Sequence, residues 1–490
     1  MQRTLQNLIC TLLFTLLVVA VPATALGQSA GSKRPNVVLI LSDDHRFDFM
    51  SFHEGAPNFL QTPNMDRLAA GGMHVKNAFV TTSLCSPSRA SILTGRYAHN
   101  HGVVDNARLV PEGTRFFPAE LQRAGYQTAF IGKWHMGGVT DEPRPGFDHW
   151  VSFRGQGTYF NPTLNVDGSR KEYEGYNADI LTDFATKWIR EQSSDQPFFL
   201  YLSHKSVHAE FQPAPRHQGR YEDETLVYPK TMANTESNYR DKPRWVKEQR
   251  YGWHGVDYLY QGAMNFDTFY RRYTETLLAL DESIGQVIDE LERDGLMENT
   301  IVIYMSDNGF SFGEHGLIDK RHGYEESIRV PMIAYAPGRI EAGSVLDEMI
   351  LNIDMAPTIL DLAGVKETDL PMDGRSFSPL LFGQPMDDWR REFAYEYYWE
   401  YSFPHTPTVL ALRGERYKYL FYHGIWDLNE FYDLSNDPLE EHNLINSAEH
   451  ADLIKQMKER LFDILDAQNA TDIAFRRPTD WQANERLLRD

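Results

Sequence analysis

The segment Cys85-Ser86-Pro87-Ser88-Arg89 brings a thiol, a helix-starting Ser-Pro pair and a guanidinium close together. Proline suits the first turn of a helix, where its missing N–H is not needed. Cys85 is then expected at the helix N-terminus, where free backbone N–H groups and the helix dipole favour an anion. Arg89 lies four residues on and projects from about the same face. A nucleophile precursor and an anion-binding cation would thus share one pocket. Two carboxylates lie elsewhere in the chain. The run Asn36-Val37-Val38-Leu39-Ile40-Leu41 reads as a buried parallel strand and ends in Ser42-Asp43-Asp44-His45. In open α/β sheets, ligands bind at the carboxyl ends of such strands.

The longer stretch Cys85-Ser86-Pro87-Ser88-Arg89-Ala90-Ser91-Ile92-Leu93-Thr94-Gly95-Arg96 matches C-x-P-S-R-x-x-x-x-T-G-R at every fixed position, and in it the chain resembles the sulfatase family. The resemblance runs from about Arg34 to Leu444. It implies that Cys85 is converted after synthesis, by a formylglycine-generating enzyme, to formylglycine (3-oxoalanine), an aldehyde hydrated to a geminal diol. Asp43 and Asp44, with Asp307 and Asn308 after the strand Ile301 to Met305, look like the family's site for one Ca²⁺, with Cys85 beside it as a further ligand. Hard oxygen donors without clustered Cys or His suit Ca²⁺ or Mg²⁺ rather than Zn²⁺.

Gly132-Lys133-Trp134-His135 resembles the family's G-K-W-H element, which implies that Lys133 touches sulfate and nucleophile and that His135 is a base. His208, in Ser203-His204-Lys205-Ser206-Val207-His208, aligns with the histidine that contacts the leaving oxygen. Position 210 is Glu210 where the family usually has Pro, and His204 is a rival for the role. Lys320 matches the second sulfate-binding lysine. His99 and His101 are expected to be structural hydrogen-bond partners. His315 and His322 receive no role.

This constellation answers a chemical difficulty. A sulfate ester repels nucleophiles and has a poor leaving group. A divalent ion, Arg89, Lys133 and Lys320 would neutralise the sulfuryl oxygens. One diol hydroxyl attacks sulfur with Asp307 placed to receive its proton, His208 or Lys320 protonates the departing oxygen, and His135 takes the second hydroxyl's proton as sulfate leaves. Tyr395-Glu396-Tyr397-Tyr398-Trp399-Glu400-Tyr401, Thr406-Pro407-Thr408, Gly424-Ile425-Trp426-Asp427 and Glu430-Phe431-Tyr432-Asp433-Leu434 look like bacterial sulfatases of the N-acetylglucosamine-6-sulfatase or mucin-desulfating type. A sulfated carbohydrate is therefore the expected substrate, from glycosaminoglycan, mucin or algal polysaccharide. Arylsulfatase or phosphatase and phosphonate hydrolase chemistry on the same fold is the alternative, and a non-catalytic carbohydrate-binding protein is a third reading.

Positioning these residues requires an α/β scaffold. Strand-like segments recur at Thr128 to Ile131, Phe198 to Leu202, Ile301 to Met305 and Pro331 to Tyr335. Helices are predicted from about Asn64 to Ala70, capped by Thr62-Pro63, and from about Tyr273 to Arg293. The resemblance implies an alkaline-phosphatase-like sandwich with a large, mainly parallel sheet covered by helices. Tyr395 to Trp399, Val409 to Leu412 and Tyr417 to Phe421 predict a smaller antiparallel sheet, followed by a helix around Ala448 to Leu465. The expected boundaries are 1–27 for a signal peptide, 34–375 for the catalytic domain and 386–480 for a C-terminal α+β subdomain. Residues 212–267 predict a long polar and aromatic connection.

The chain's 490 residues, 42% of them hydrophobic, assure a sizeable core and exclude a disordered or fibrous protein. Its net charge of −21 excludes a general basic surface for nucleic acid or anionic lipid. Arg3, the apolar run Leu8 to Val21 and small residues near Ala25 read as a cleaved export signal rather than a membrane anchor. Of the two cysteines, only Cys85 would remain in the mature chain. A secreted or periplasmic location without a stable membrane anchor is expected.

Overall fold

The computed structural model describes residues 33–137, 140–424 and 427–472. The expected signal peptide, Ile425 and Trp426 lie outside the described residues. Every residue of β1 (Asn36–Ser42) is buried, so both faces of the strand are covered. Period-two alternation sends Val37, Leu39 and Leu41 into one apolar layer and Val38 and Ile40 into the other. The first layer is filled by α2 (Cys85–Thr94) and α5 (Met355–Leu362), the second by α1 (Pro63–Gly71), α3 (Asn177–Arg190) and α4 (Phe266–Arg293).

The sheet between these layers has ten strands. In chain order after β1 they are β2 (Met73–Val75), β3 (Gln127–Lys133), β4 (His149–Phe153), β5 (Thr163–Val166), β6 (Ser169–Glu172), β7 (Phe198–Ser203), β8 (Thr300–Ser306), β9 (Met332–Tyr335) and β10 (Ser344–Leu346). In space the order is β10-β2-β9-β8-β1-β7-β3-β4-β5-β6. The run β8-β1-β7-β3-β4 is parallel throughout, which aligns five carboxyl ends along one edge. The flanking pairs β8/β9, β9/β2, β4/β5 and β5/β6 are antiparallel.

A second, antiparallel sheet joins β11 (Glu392–Tyr397), β12 (Thr408–Gly414), β13 (Tyr417–His423) and β14 (Glu430–Asp433). Helix α6 (Ala451–Ala467) covers one face, laying Met457, Leu461 and Leu465 on Leu410, Leu412 and Phe431. Tyr395, Tyr397, Leu420 and Tyr422 on the other face pack with Tyr324 and Ile328, from the segment between β8 and β9. These tyrosines, and buried Tyr398, build core rather than offer faces to a sugar.

Two local expectations are corrected. The Thr62 side chain does not cap α1; its oxygen accepts from Ser51 N at 2.8 Å. The first turn is capped instead by Asp281 of α4, which accepts from Asn64 N at 3.1 Å and Met65 N at 2.8 Å, a partner remote in sequence. Helix α4 also starts earlier than the apolar spacing suggests, at Phe266. The Asn265 side chain caps it by accepting from Thr268 N at 2.8 Å, and Phe269 extends its buried face. The long 212–267 connection gives way to α4 at Phe266, and before that it contains only short helices, among them Glu236–Tyr239 and Arg244–Gln249. No described helix is long and apolar enough to cross a membrane.

Candidate active site

Asp43 and Asp44 follow β1, Asp307 and Asn308 follow β8, Lys133 ends β3, His208 lies beyond β7, and Cys85 opens α2. The parallel strands thus deliver most of these groups to one edge. The helix supplies the sulfur, with Cys85 as its first residue as the Ser-Pro pair suggested.

Cys85 is fully buried, and its Sγ lies 3.3 Å from Asp43 Oδ1 and 3.3 Å from Lys320 Nζ. Lys133 Nζ donates to Asp43 Oδ2 and to Gln156 Oε1. Lys320 Nζ donates to Asp44 Oδ1, which also accepts from Asn308 Nδ2 at 2.7 Å. Arg89 spans the centre. Its Nε donates to Asp307 Oδ2 at 2.8 Å, and its Nη1 to Lys133 O at 2.7 Å and Ser203 Oγ at 2.6 Å. Its Nη2 lies 3.5 Å from Asp43 Oδ2 and makes no hydrogen bond among the described residues.

Backbone geometry explains several residue types. Asp44 (φ 59°) and His135 (φ 51°) occupy the left-handed region, which costs a non-glycine residue about 1–2 kcal/mol. Such strain concentrates at functional sites. Gly132 has φ 123°, and a Cβ there would fall 1.8 Å from Ser203 O, so the residue before Lys133 has to be glycine.

Burial sets the titration of the cluster. It raises Asp43, but Lys133, His208, Arg89 and Lys320 outweigh it and hold that carboxyl well below the ordinary range. Burial, with the charges of Asp43 and Asp307, lifts Asp44 to about 7 against the pull of Lys320. Burial and Asp43 also raise Asp307. Burial, then Lys133, keeps His135 and His208 well below the usual imidazole range, so both are neutral at pH 7. The Cys85 thiol is pushed far up by burial and by Asp43. A thiol so protonated is a poor nucleophile.

The donor set fits a hard divalent cation. Oxygens of Asp43, Asp44 and Asp307 lie within 4.8 Å of one another, and a second overlapping cluster joins Asp43, Cys85 and His208. Asp44 Oδ2 and Asn308 Oδ1 are buried without a hydrogen-bond partner among the described residues. Oxygen atoms left unpaired beside carboxylates are what Ca²⁺ coordination requires.

His208 joins the cluster, with Nε2 3.9 Å from Asp44 Oδ2 and Nδ1 bonded to Ala209 O. Its rival His204 points away, to Ser283 Oγ on α4 at 3.0 Å. His135 Nδ1 sits 3.5 Å from Ser86 Oγ. His99 pairs with Glu396 at 2.8 Å and His101 with Ser91 at 3.1 Å, both structural roles. Two groups escaped the sequence reading. Gln156 lies between Gly155 and Gly157 past the end of β4, and Lys205 lies just past β7. Position beyond a parallel strand end is the signal that points to both.

The Lys320 loop is fastened from the small sheet. Lys418 Nζ donates to Gly323 O at 2.8 Å, Arg321 Nε to Glu400 Oε1 at 2.8 Å, and Tyr324 OH to Glu430 at 2.9 Å. Ser327 Oγ bonds Lys320 O itself.

Comparison with known proteins gives a family. The sulfatase family model matches residues 35–365, and that of the N-sulphoglucosamine sulphohydrolase C-terminal region matches residues 313–467. An N-acetylglucosamine-6-O-sulfatase of Bacteroides thetaiotaomicron is 34% identical, over 92% of this chain and 90% of its own. The N-acetylglucosamine-6-sulfatase of Homo sapiens is 32% identical, over 82% of this chain and 74% of its own. A solved structure described as a complex with its substrate D-glucosamine-2-N,6-O-disulfate superposes with a TM-score of 0.82 at 33% identity, covering 90% of this chain and 99% of that one. The chain belongs to the sulfatase family and is a sulfuric ester hydrolase.

Proposed function

We propose that this protein removes 6-O-sulfate from N-acetylglucosamine-type residues of sulfated carbohydrate. The observation that carries the chemistry is the buried meeting of Cys85 with Arg89, Lys133 and Lys320, each of which also holds one of the clustered aspartates. The relatives named above support the sugar.

Asp43, Asp44, Asp307 and Asn308 would hold Ca²⁺, with the residue at 85 as a further ligand, and the ion would supply positive charge for the sulfuryl oxygens. A hydrated aldehyde made from Cys85 would supply the hydroxyl nucleophile that the protonated thiol does not. The chain's own residues do the rest. Arg89 Nη2 and the ammonium groups of Lys133 and Lys320 take sulfuryl oxygens, and the Gln156 amide fixes Lys133. Nδ1 of His208 donates to Ala209 O, which leaves Nε2 for the catalytic proton. An arriving sulfate anion raises the His208 pKa, so Nε2 takes up a proton with substrate and passes it to the departing sugar oxygen. Neutral His135 accepts a proton at the position of the Cys85 side chain.

We further read residues 1–27 as an export signal, which puts the mature protein in the periplasm or outside the cell, and 34–375 and 386–480 as catalytic and C-terminal domains. Because Cys85 is fully buried, the maturation enzyme has to reach it before folding is complete.

The test is sulfate release from a panel of defined sulfated mono- and disaccharides, with aryl sulfate and aryl phosphate alongside. Release from N-acetylglucosamine 6-sulfate above the other positions is expected. Release only from other positions, or faster phosphate hydrolysis, overturns the proposal.

A further inference from the structure

Lys205 is a cation of this cleft to which the reading above gives no task. It lies two residues past β7, where the chain is pinned to the cation-site strand: Asp43 N donates to Ser206 O at 2.9 Å and Val207 N to Asp43 O at 2.7 Å. His204 turns to α4, and Lys205, the next residue, is only 4% exposed. Its Nζ rests 4.6 Å from the ring centroid of Tyr159, whose hydroxyl donates to His208 O at 2.6 Å.

The pairing of charges sets Lys205 apart. Arg89 has Asp307, Lys133 has Asp43 and Lys320 has Asp44. Among the described residues the Lys205 ammonium has neither a carboxylate partner nor a hydrogen-bond acceptor, only the face of Tyr159. Its charge still reaches the site. Burial and repulsion from Lys133 lower it to about 8 against the attraction of Asp43, Asp44 and Cys85, and it in turn helps to lower His208. An ammonium on so largely buried a side chain is costly to hold without a counter-ion, and an anionic ligand removes that cost.

We propose that Lys205 is a substrate-contacting residue whose ammonium leaves the face of the Tyr159 ring to take an oxygen of the bound sulfate group. The inference rests on reading this cleft as the sulfuryl site, and it is independent of which sugar the ester belongs to.

The experiment compares mature parent enzyme, Lys205→Met and Lys205→Arg for kcat and KM on an aryl sulfate, inhibition by inorganic sulfate, and Tm. The expected result for Lys205→Met is a loss of about 100-fold in kcat/KM and about 10-fold weaker sulfate inhibition. Its Tm should equal or exceed the parent's, because an uncompensated charge has gone, and Lys205→Arg should recover most of both losses. Kinetics and inhibition within about twofold of the parent overturn the proposal. So does a loss of activity that comes with a lower Tm and unchanged sulfate inhibition, the pattern of a structural residue. Since neither probe contains sugar, an enzyme that cleaves aryl sulfate but ignores 6-sulfated N-acetylglucosamine refutes the substrate reading alone.

Discussion

Arg89 offers the sharpest energetic test, because its loss should be repaired in one property and not in another. The side chain is 1% exposed and its Nε contacts the fully buried Asp307 at 2.8 Å. Three carboxylates, Asp307, Asp43 and Asp44, each pair with one cation, Arg89, Lys133 and Lys320 in turn. Arg89→Gln removes the positive partner and leaves Asp307 an unpaired buried carboxylate, and breaking a buried pair from one side costs about 3–5 kcal/mol. Adding Asp307→Asn removes that orphaned carboxylate, so the double variant should be less destabilised than the sum of the single ones, with a coupling of about 1–3 kcal/mol. Turnover should not follow. Arg89→Gln removes a donor aimed at the sulfuryl group, worth about 10²–10³ in rate, and Asp307→Asn removes a charge that would hold the cation. The assay is urea denaturation of the four proteins in chelator, with sulfate release measured in calcium. Effects on stability that add within about 0.5 kcal/mol, or a double variant that regains turnover, would refute the reasoning.

Three further outcomes are expected. His208→Gln should lower kcat about 100-fold in steady-state kinetics, while His204→Gln, whose partner is Ser283, should cost about 1–3 kcal/mol of stability and little activity; equal kinetic losses would contradict the assignment. Burial holds His101, His254 and His322 near 3 and His204 near 4, below the unfolded value, so the native state binds fewer protons than the unfolded chain under acid. Stability should therefore fall as pH drops from about 6.5 towards 4, by about 1.4 kcal/mol per unit for each histidine, and His204→Gln should shallow the slope by about one proton; a flat profile from pH 7 to 5 would refute it. Chelation should abolish sulfate release and lower Tm while leaving far-UV circular dichroism intact, because Asp43, Asp44 and Asp307 each keep a cationic side-chain partner; global unfolding on chelation would speak against that pairing.

What could be read from the chain alone followed physical rules of unequal strength. A continuous apolar run buried on both faces identified β1, and its abrupt end in Asp43-Asp44 marked the edge that the sheet uses. The Cys85 to Arg96 text needed no structure, since helix start and Arg89 spacing were local. Non-local decisions stayed hidden. The α1 cap comes from Asp281, and no local pattern around Thr62 announces a partner on another helix. Choice between His204 and His208 depended on which side of the chain faces α4, and past the end of β7 at Ser203 no strand alternation decides it. Gln156 sits in a glycine-flanked turn with no period to read, and gains meaning only from Lys133 on the neighbouring strand. The aromatic C-terminal segments gave a sheet, but their burial against Tyr324 is a property of packing between elements.

Mass spectrometry of the tryptic peptide Asn77 to Arg89, taken from enzyme that releases sulfate, tests the central claim most directly. The expected peptide is about 18 Da lighter than the unmodified sequence, as conversion of the Cys85 thiol to an aldehyde requires. A fully active preparation in which that peptide keeps its free thiol would contradict it.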